Sequence, residues 1–349
     1  MANVVTVIAT SRVDEFVGAV GGTSSLFVGL LNGTVLMMDP STGQLMGSVT
    51  LPDGNSAAHL TYYDGSLYVG TEWLASAKDQ PPFHIYKIDP TTMKIVAQIP
   101  MEAHYANGFV LPFNGFLWAG DGHCTLYKID AKSLIVVGTV PGVAEDEMTF
   151  DGANYWAECV STVNVLKQTA GVPYTIASRS LPYPDRPRGF FIVNSALYSS
   201  GSLDSKLYSM ALSGNSIVLK STAKVSGTMP TRDTVQYGGL TYAYETGPGA
   251  DLGQLPARIS VYDSGFGLVG VVPLPGPALS LDASQHSLFA FGGRLYFVTE
   301  SSIGHLDTAN AGARSTTGGA SIPMASQMGA VQAHQYIHRL NVRRLGSAA

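Results

Sequence analysis

The chain has 349 residues, a net charge of −5, and 13% charged residues against about 25% in ordinary globular proteins. With no basic excess there is nothing to neutralise a phosphate backbone, so nucleic acid is excluded as the main partner. No apolar run reaches the ~18 residues of a membrane-spanning helix, and the opening MANVVTVIATSRVDEF has no positive leader.

The first strand-like run is VVTVIAT (4–10), short and β-branched. A repeat follows. Its marker aromatic stands at Phe27 (LFVG), Tyr68 (LYVG), Trp118 (LWAG), Trp156, Tyr198, Tyr242 and Tyr296, at intervals of 41, 50, 38, 42, 44 and 54 residues. Seven copies at this spacing point to propeller blades. Copy two shows the unit: AAHLTYYD, a turn at Asp64–Gly65, SLYVGTE, a loop, FHIYKID, a turn, and MKIVAQIP. Short runs rich in Tyr, Val and Ile, broken by Asp-Gly or Asn-Gly, predict four hairpin-linked strands.

A second mark fixes the register. Asp39 and Asp130 end a strand twelve residues after their aromatics, whereas Asp89 and Asp263 come twenty-one residues after theirs. Copies two and six therefore carry nine extra residues between their second and third strands, in EWLASAKDQPP (72–82) and ETGPGADLGQLPA (245–257). The acid has a structural reason: its side chain accepts N–H bonds of the turn that follows, as in DPSTG and DPTT. The seventh copy stops at Asp307 after three strands. VVTVIAT resembles the fourth strands IVAQIP and LIVVGTV, so the N-terminal strand is expected to complete the last blade and close the ring. The expected fold is an all-β, seven-bladed β-propeller of four-stranded antiparallel blades over residues 1–308, with an extension over 309–349.

LYVG…IYKIDPTTMKIVAQIP (67–100) and LFVG…VLMMDPSTGQLMGSVTLP (26–52) resemble the YVTN and quinoprotein-like β-propellers. The resemblance covers about residues 4–308 and implies the fold. In quinone-dependent members a Trp follows the glycine turn; here Gly43 is followed by QLMGSV, and no adjacent-cysteine pair exists. The quinone is therefore not carried over. Propellers of this kind host many activities, so function has to be argued from the site.

The two cysteines, Cys124 and Cys159, have no zinc-site spacing. They follow strand-like runs in neighbouring repeats, which leaves one bridge open to the chain; two buried thiols are the expectation.

The loops after strand two and before strand one share the face around the channel mouth. Glu72, Asp121, Glu158, Glu245 and Glu300 follow strand two, where a rim of carboxylates could bind Ca²⁺ or Mg²⁺. The expectation is instead solvated loop acids far from the axis, with no cofactor; Glu158 and Glu300 are the metal candidates. Before strand one stand His59, His104, Asp146, Glu147, Arg188, Arg232, Asp233 and His286. Mixed His, acid and Arg could serve a metal or a hydrolytic base, or line a polar channel. No nucleophile motif accompanies them. The two insertions lie on this face, and Trp73 and Leu74 are candidate contact anchors.

Residues 309–349 have linker composition and end in HQYIHRLNVRRL, where Tyr336, Arg339, Arg343 and Arg344 are candidate docking residues. Low charge, same-face insertions and a basic tail lead to the expectation of a binding or assembly module, partnered by a protein, by copies of itself or by a glycan. A subunit of a virion or phage tail is the specific form; a chain of this kind that works outside a cell would leave as part of a particle, by lysis, or after removal of a leader. The alternatives are a metal-dependent propeller hydrolase or lactonase at the channel mouth and a glycan or small-molecule binder using Trp73.

Overall fold

The computed structural model describes residues 4–307 except 12–13, 73–82, 102–106, 146, 168–170, 181–186, 194–195, 202–205, 225–230, 246–255 and 280–286. Its strands form seven antiparallel sheets of four. In six of them the four strands are consecutive in sequence. The remaining sheet combines Leu288–Phe291, Arg294–Val298 and Ser302–Asp307 with Val4–Thr10, which pairs antiparallel to Ser302–Asp307 with Val4 opposite Asp307 and Thr10 opposite Ser302. The first strands of successive blades touch in order, and Phe16–Gly21 of blade one touches Leu288–Phe291 of blade seven, so they ring a common axis. The protein is a seven-bladed β-propeller.

The turns follow from their residues. Asp64–Gly65 (φ 47 and 74) and Asn114–Gly115 (φ 51 and 83) put two left-handed residues in succession, the requirement of the tight hairpin turn that matches strand twist. At the turn after strand three, Asp39 Oδ1 accepts the N–H of Ser41 (2.9 Å) and of Thr42 (2.7 Å). Asp130 Oδ1 accepts those of Lys132 (3.0 Å) and Ser133 (2.8 Å) in the same way. These bonds favour the ionised form and hold both carboxyls below the usual carboxylate range.

The core lies between blades. The buried apolar clusters each straddle a seam: Phe27, Val35 and Leu51 of blade one meet Leu60, Tyr86 and Met93 of blade two, and Tyr68 of blade two meets Leu117 and Ile129 of blade three. The last seam is built alike, with Tyr296 and Val298 against Phe16, Leu26 and Val28. Burying a marker aromatic such as Phe27 or Tyr68 is worth roughly 2–3 kcal/mol. Two of them also reach the strand-three turn of the next blade. Tyr68 Oη donates to the Ala131 carbonyl (3.3 Å) and Tyr296 Oη to that of Pro40 (2.9 Å), the residues directly after Asp130 and Asp39. The two sequence marks, aromatic and acid, are thus partners across a seam.

The glycine of the motif has a seam role as well. A Cβ on Gly29 would run into the Ala57 carbonyl of blade two, and one on Gly120 would sit 2.7 Å from the Glu145 carbonyl leading into blade four. Gly120→Ala should therefore lower stability by about 1–3 kcal/mol. Gly270→Ala, in the outer strand of blade six with nothing within 4 Å of the added Cβ, should leave the melt unchanged. Thermal unfolding of the two variants side by side checks this.

The N-terminal strand carries a titratable contact. Thr6 Oγ1 donates to Asp307 Oδ2 (3.1 Å), and His305 Nδ1 lies 3.2 Å from Asp307 Oδ1. Burial pushes the His305 imidazole below its usual range, against the pull of Asp307 and with the push of Arg294. A histidine with a lowered folded pKa contributes stability that is full above the unfolded value of about 6.5 and is lost as pH falls through the folded one. The wild-type melt should therefore fall between pH 7 and pH 5 by more than that of His305→Asn. Removing residues 1–10 should lower the melt of the whole ring by several degrees; a truncated chain that melts like the full one would show that the ring does not depend on this strand.

Candidate functional site: the mouth face and the rim

In each antiparallel blade the connection from strand two to strand three and the one entering strand one lie at the same end, the mouth. A recurrent bulge shapes this end. The pairing of strands one and two shifts register between Phe16 and Gly18, Ser56 and His59, Asn107 and Phe109, Arg188 and Phe190, and Thr231 and Asp233. An extra residue there bends the strand and re-aims the side chains beyond it.

The acids after strand two are not solvated loop groups, contrary to expectation. Glu72, Asp121, Glu158, Glu245 and Glu300 are all buried. A buried carboxylate requires bonding partners, and Asp121 and Glu245 have them. Asp121 Oδ1 accepts the N–H of His123 (2.9 Å) and Thr125 (2.8 Å), while Oδ2 accepts Tyr127 Oη–H (2.8 Å). Glu245 is bonded by Arg258 Nη2 (2.7 Å) and Nε (2.8 Å) and by Tyr262 Oη (2.8 Å). Glu158 is tied through its backbone, its carbonyl accepting from Glu145 and its N–H donating to Glu147. The Glu300 carbonyl accepts the Phe16 N–H across the seam to blade one.

Glu147, directly before strand one of blade four, and Asp233, inside strand one of blade six, also tie blades. Glu147 Oε1 accepts the N–H of Phe190 in blade five (2.8 Å), and Asp233 Oδ2 accepts that of Leu288 in blade seven (3.1 Å). Each acid sits two residues before the partner of its blade's marker aromatic, and each acceptor bond goes to the equivalent residue of the next first strand. His59 is buried within the first strand of blade two, opposite Gly70. Trp73, Leu74, His104, Asp146, His286, Tyr336, Arg339, Arg343 and Arg344 lie outside the described residues, as do the side chains of Arg188 and Arg232. Among the described residues no group of three or more His, Cys, Asp or Glu is arranged to hold a metal ion.

One cluster was not legible in the sequence. Asp53, on the connection from blade one to blade two, lies with Oδ2 3.5 Å from His84 Nδ1 and 3.4 Å from Thr71 Oγ1. Tyr86 Oη is 3.4 Å from the same imidazole nitrogen. Burial first, and then the Asp53 charge, pushes the Tyr86 hydroxyl above its usual range and keeps it neutral. Thr71 and His84 lie in the strands on either side of the insertion 72–82, and the imidazole is held by a carboxylate. These residues come from the connection and from strands two and three of blade two. The one sequence signal was that His84 opens the strand after the insertion.

A different feature marks the perimeter. Of the thirteen exposed large apolar side chains among the described residues, eleven lie on outer strands. Every blade contributes: Val7, Leu45, Val96, Ile135, Tyr174, Val218 and Val271 are each 39–60% exposed. The outer strands carry Lys94, Arg179, Lys220 and Lys224 and no acid.

The cysteines correct the expectation of two thiols. Cys124 and Cys159 form a disulfide between blades three and four, with Cα atoms 5.4 Å apart. No protein-family model matches the chain, and no curated protein matches it in sequence.

Glu245→Ala should destabilise the protein by about 3 kcal/mol, because it leaves the Arg258 guanidinium without its buried counter-ion. Glu245→Leu with Arg258→Met should cost less than Glu245→Ala alone. Denaturant unfolding of the single and double variants measures the difference.

Proposed function

We propose that the protein is a non-catalytic binding and assembly module that works as a structural subunit of a larger particle, with a virion or phage-tail component as the specific form. The observation that carries this reading is the apolar perimeter. Outer strands present unpaired backbone edges, which proteins that stay free in solution guard with charge. Here they carry large apolar side chains on every blade and few charges. Such a surface suits burial against neighbouring chains. The repeats resemble YVTN-type propellers, whose rigid rings suit this role. The tail over 309–349 supplies Arg314, Arg339, Arg343 and Arg344 and no acid, against a ring of net charge −9 (sixteen Lys and Arg, twenty-five Asp and Glu over 1–308), and is the proposed connector.

Mass in solution tests the reading. The full chain should form assemblies. The combined Leu45→Lys, Val96→Lys and Ile135→Lys variant should reduce them at unchanged melting temperature, and deletion of 320–349 should reduce them if the tail docks on a neighbouring copy. A metal-loaded monomer indifferent to both changes would favour the alternative of a hydrolase at the channel mouth.

A further inference from the structure

We infer that the working form of this protein is oxidised: the Cys124–Cys159 bond is made outside a reducing cytosol and locks the seam between blades three and four at the mouth. The argument begins with the loop that carries Cys124. Asp121 holds it, with Oδ1 accepting two backbone N–H groups and the Asp121 carbonyl accepting that of Cys124 (2.9 Å). Cys124 itself takes a left-handed conformation (φ 64), as does Val160 directly after Cys159 (φ 55). For residues other than glycine this conformation is costly, and it persists where surrounding bonds over-determine it.

The segment leading into blade four is bonded on both sides. The Cys124 carbonyl accepts the N–H of Val143 (2.8 Å) and Ala144 (3.1 Å). Glu145 Oε2 accepts the N–H of Val160 (3.1 Å), and the Glu145 N–H donates to the Glu158 carbonyl (2.6 Å). The disulfide fastens the two sides together. It does so where blade four offers little ladder, since its first strand, Met148–Phe150, is three residues long. A covalent link from the blade-three loop to strand two of blade four supplements those few bonds. The link also closes a loop of 35 residues, which removes freedom from the unfolded chain.

Bonds of this structural kind form and persist in oxidising surroundings and are rare in a reducing cytosol. With oxidised glutathione as oxidant, one cysteine thiolate attacks a glutathione sulfur and releases one glutathione. The other thiolate then displaces the second glutathione. Two protein thiols and one oxidised glutathione give one protein disulfide and two reduced glutathiones.

The test uses the full chain. Made in a reducing cytosol and lysed into an alkylating reagent, it should carry two free thiols; exported to an oxidising compartment, it should carry none. The reduced chain in excess oxidised glutathione should lose both thiols without retaining an adduct. Oxidation should raise the melting temperature by about 5–10 °C. It should also slow hydrogen exchange at 121–125, 143–145 and 158–160. Cys124→Ser with Cys159→Ser should behave as the reduced chain. Thiols that survive oxidised glutathione, an adduct that persists, or equal melts and exchange would overturn the lock. A bond already present in the reducing cytosol would overturn the inferred setting.

Discussion

The seam between neighbouring blades is the constraint on which the rest of this structure depends. A four-stranded sheet on its own leaves two apolar faces in water, and here each blade buries them only against its neighbours. The chain solves the close approach with a glycine in strand two. Gly29 and Gly120 lie where any side chain would strike the backbone entering the next blade. It solves the polar side by aiming the Tyr68 and Tyr296 hydroxyls at carbonyls of the next strand-three turn. The turn aspartate keeps that turn in shape, so one blade's aromatic depends on the next blade's acid.

The same demand explains the buried acids. A carboxylate taken out of water needs several donors, and the seam is rich in backbone N–H groups that strands at a blade end leave over. Glu147 and Asp233 satisfy such groups on the neighbouring first strand. Asp121 and Glu245 satisfy a loop and a guanidinium on their own blade. Residues whose types read as catalytic are in this way engaged in architecture. The Asp53–His84 pair, with His84 in the strand that follows the blade-two insertion in sequence, is the described mouth-face arrangement that most resembles a site built to meet something.

Perimeter and mouth then divide the work. The mouth is held by bulges, buried acids and one disulfide, all of which stiffen it. The perimeter keeps its strand edges and apolar side chains outward. A mouth tied by bonds across its seams and a rim of exposed apolar side chains are the physical basis of the proposal that it is a packed subunit.

The sequence by itself determined the repeat, the blade count, the four-strand unit and the turn chemistry. Those rest on local rules: alternation along a strand, left-handed Asp-Gly and Asn-Gly pairs, and an aspartate bonding its own turn. Val4–Thr10 was legible as an outer strand because its pattern copies other fourth strands, and in the structure it pairs with Ser302–Asp307. What only the tertiary structure decided involves partners from different blades. The bonds of Glu147 and Asp233 to the neighbouring first strands and the bonding of Cys124 to Cys159 turn on which groups face each other across a seam. A period of about forty residues says that blades recur, but the facing residues are set by the twist and stagger between neighbouring sheets, which no local pattern in the chain records.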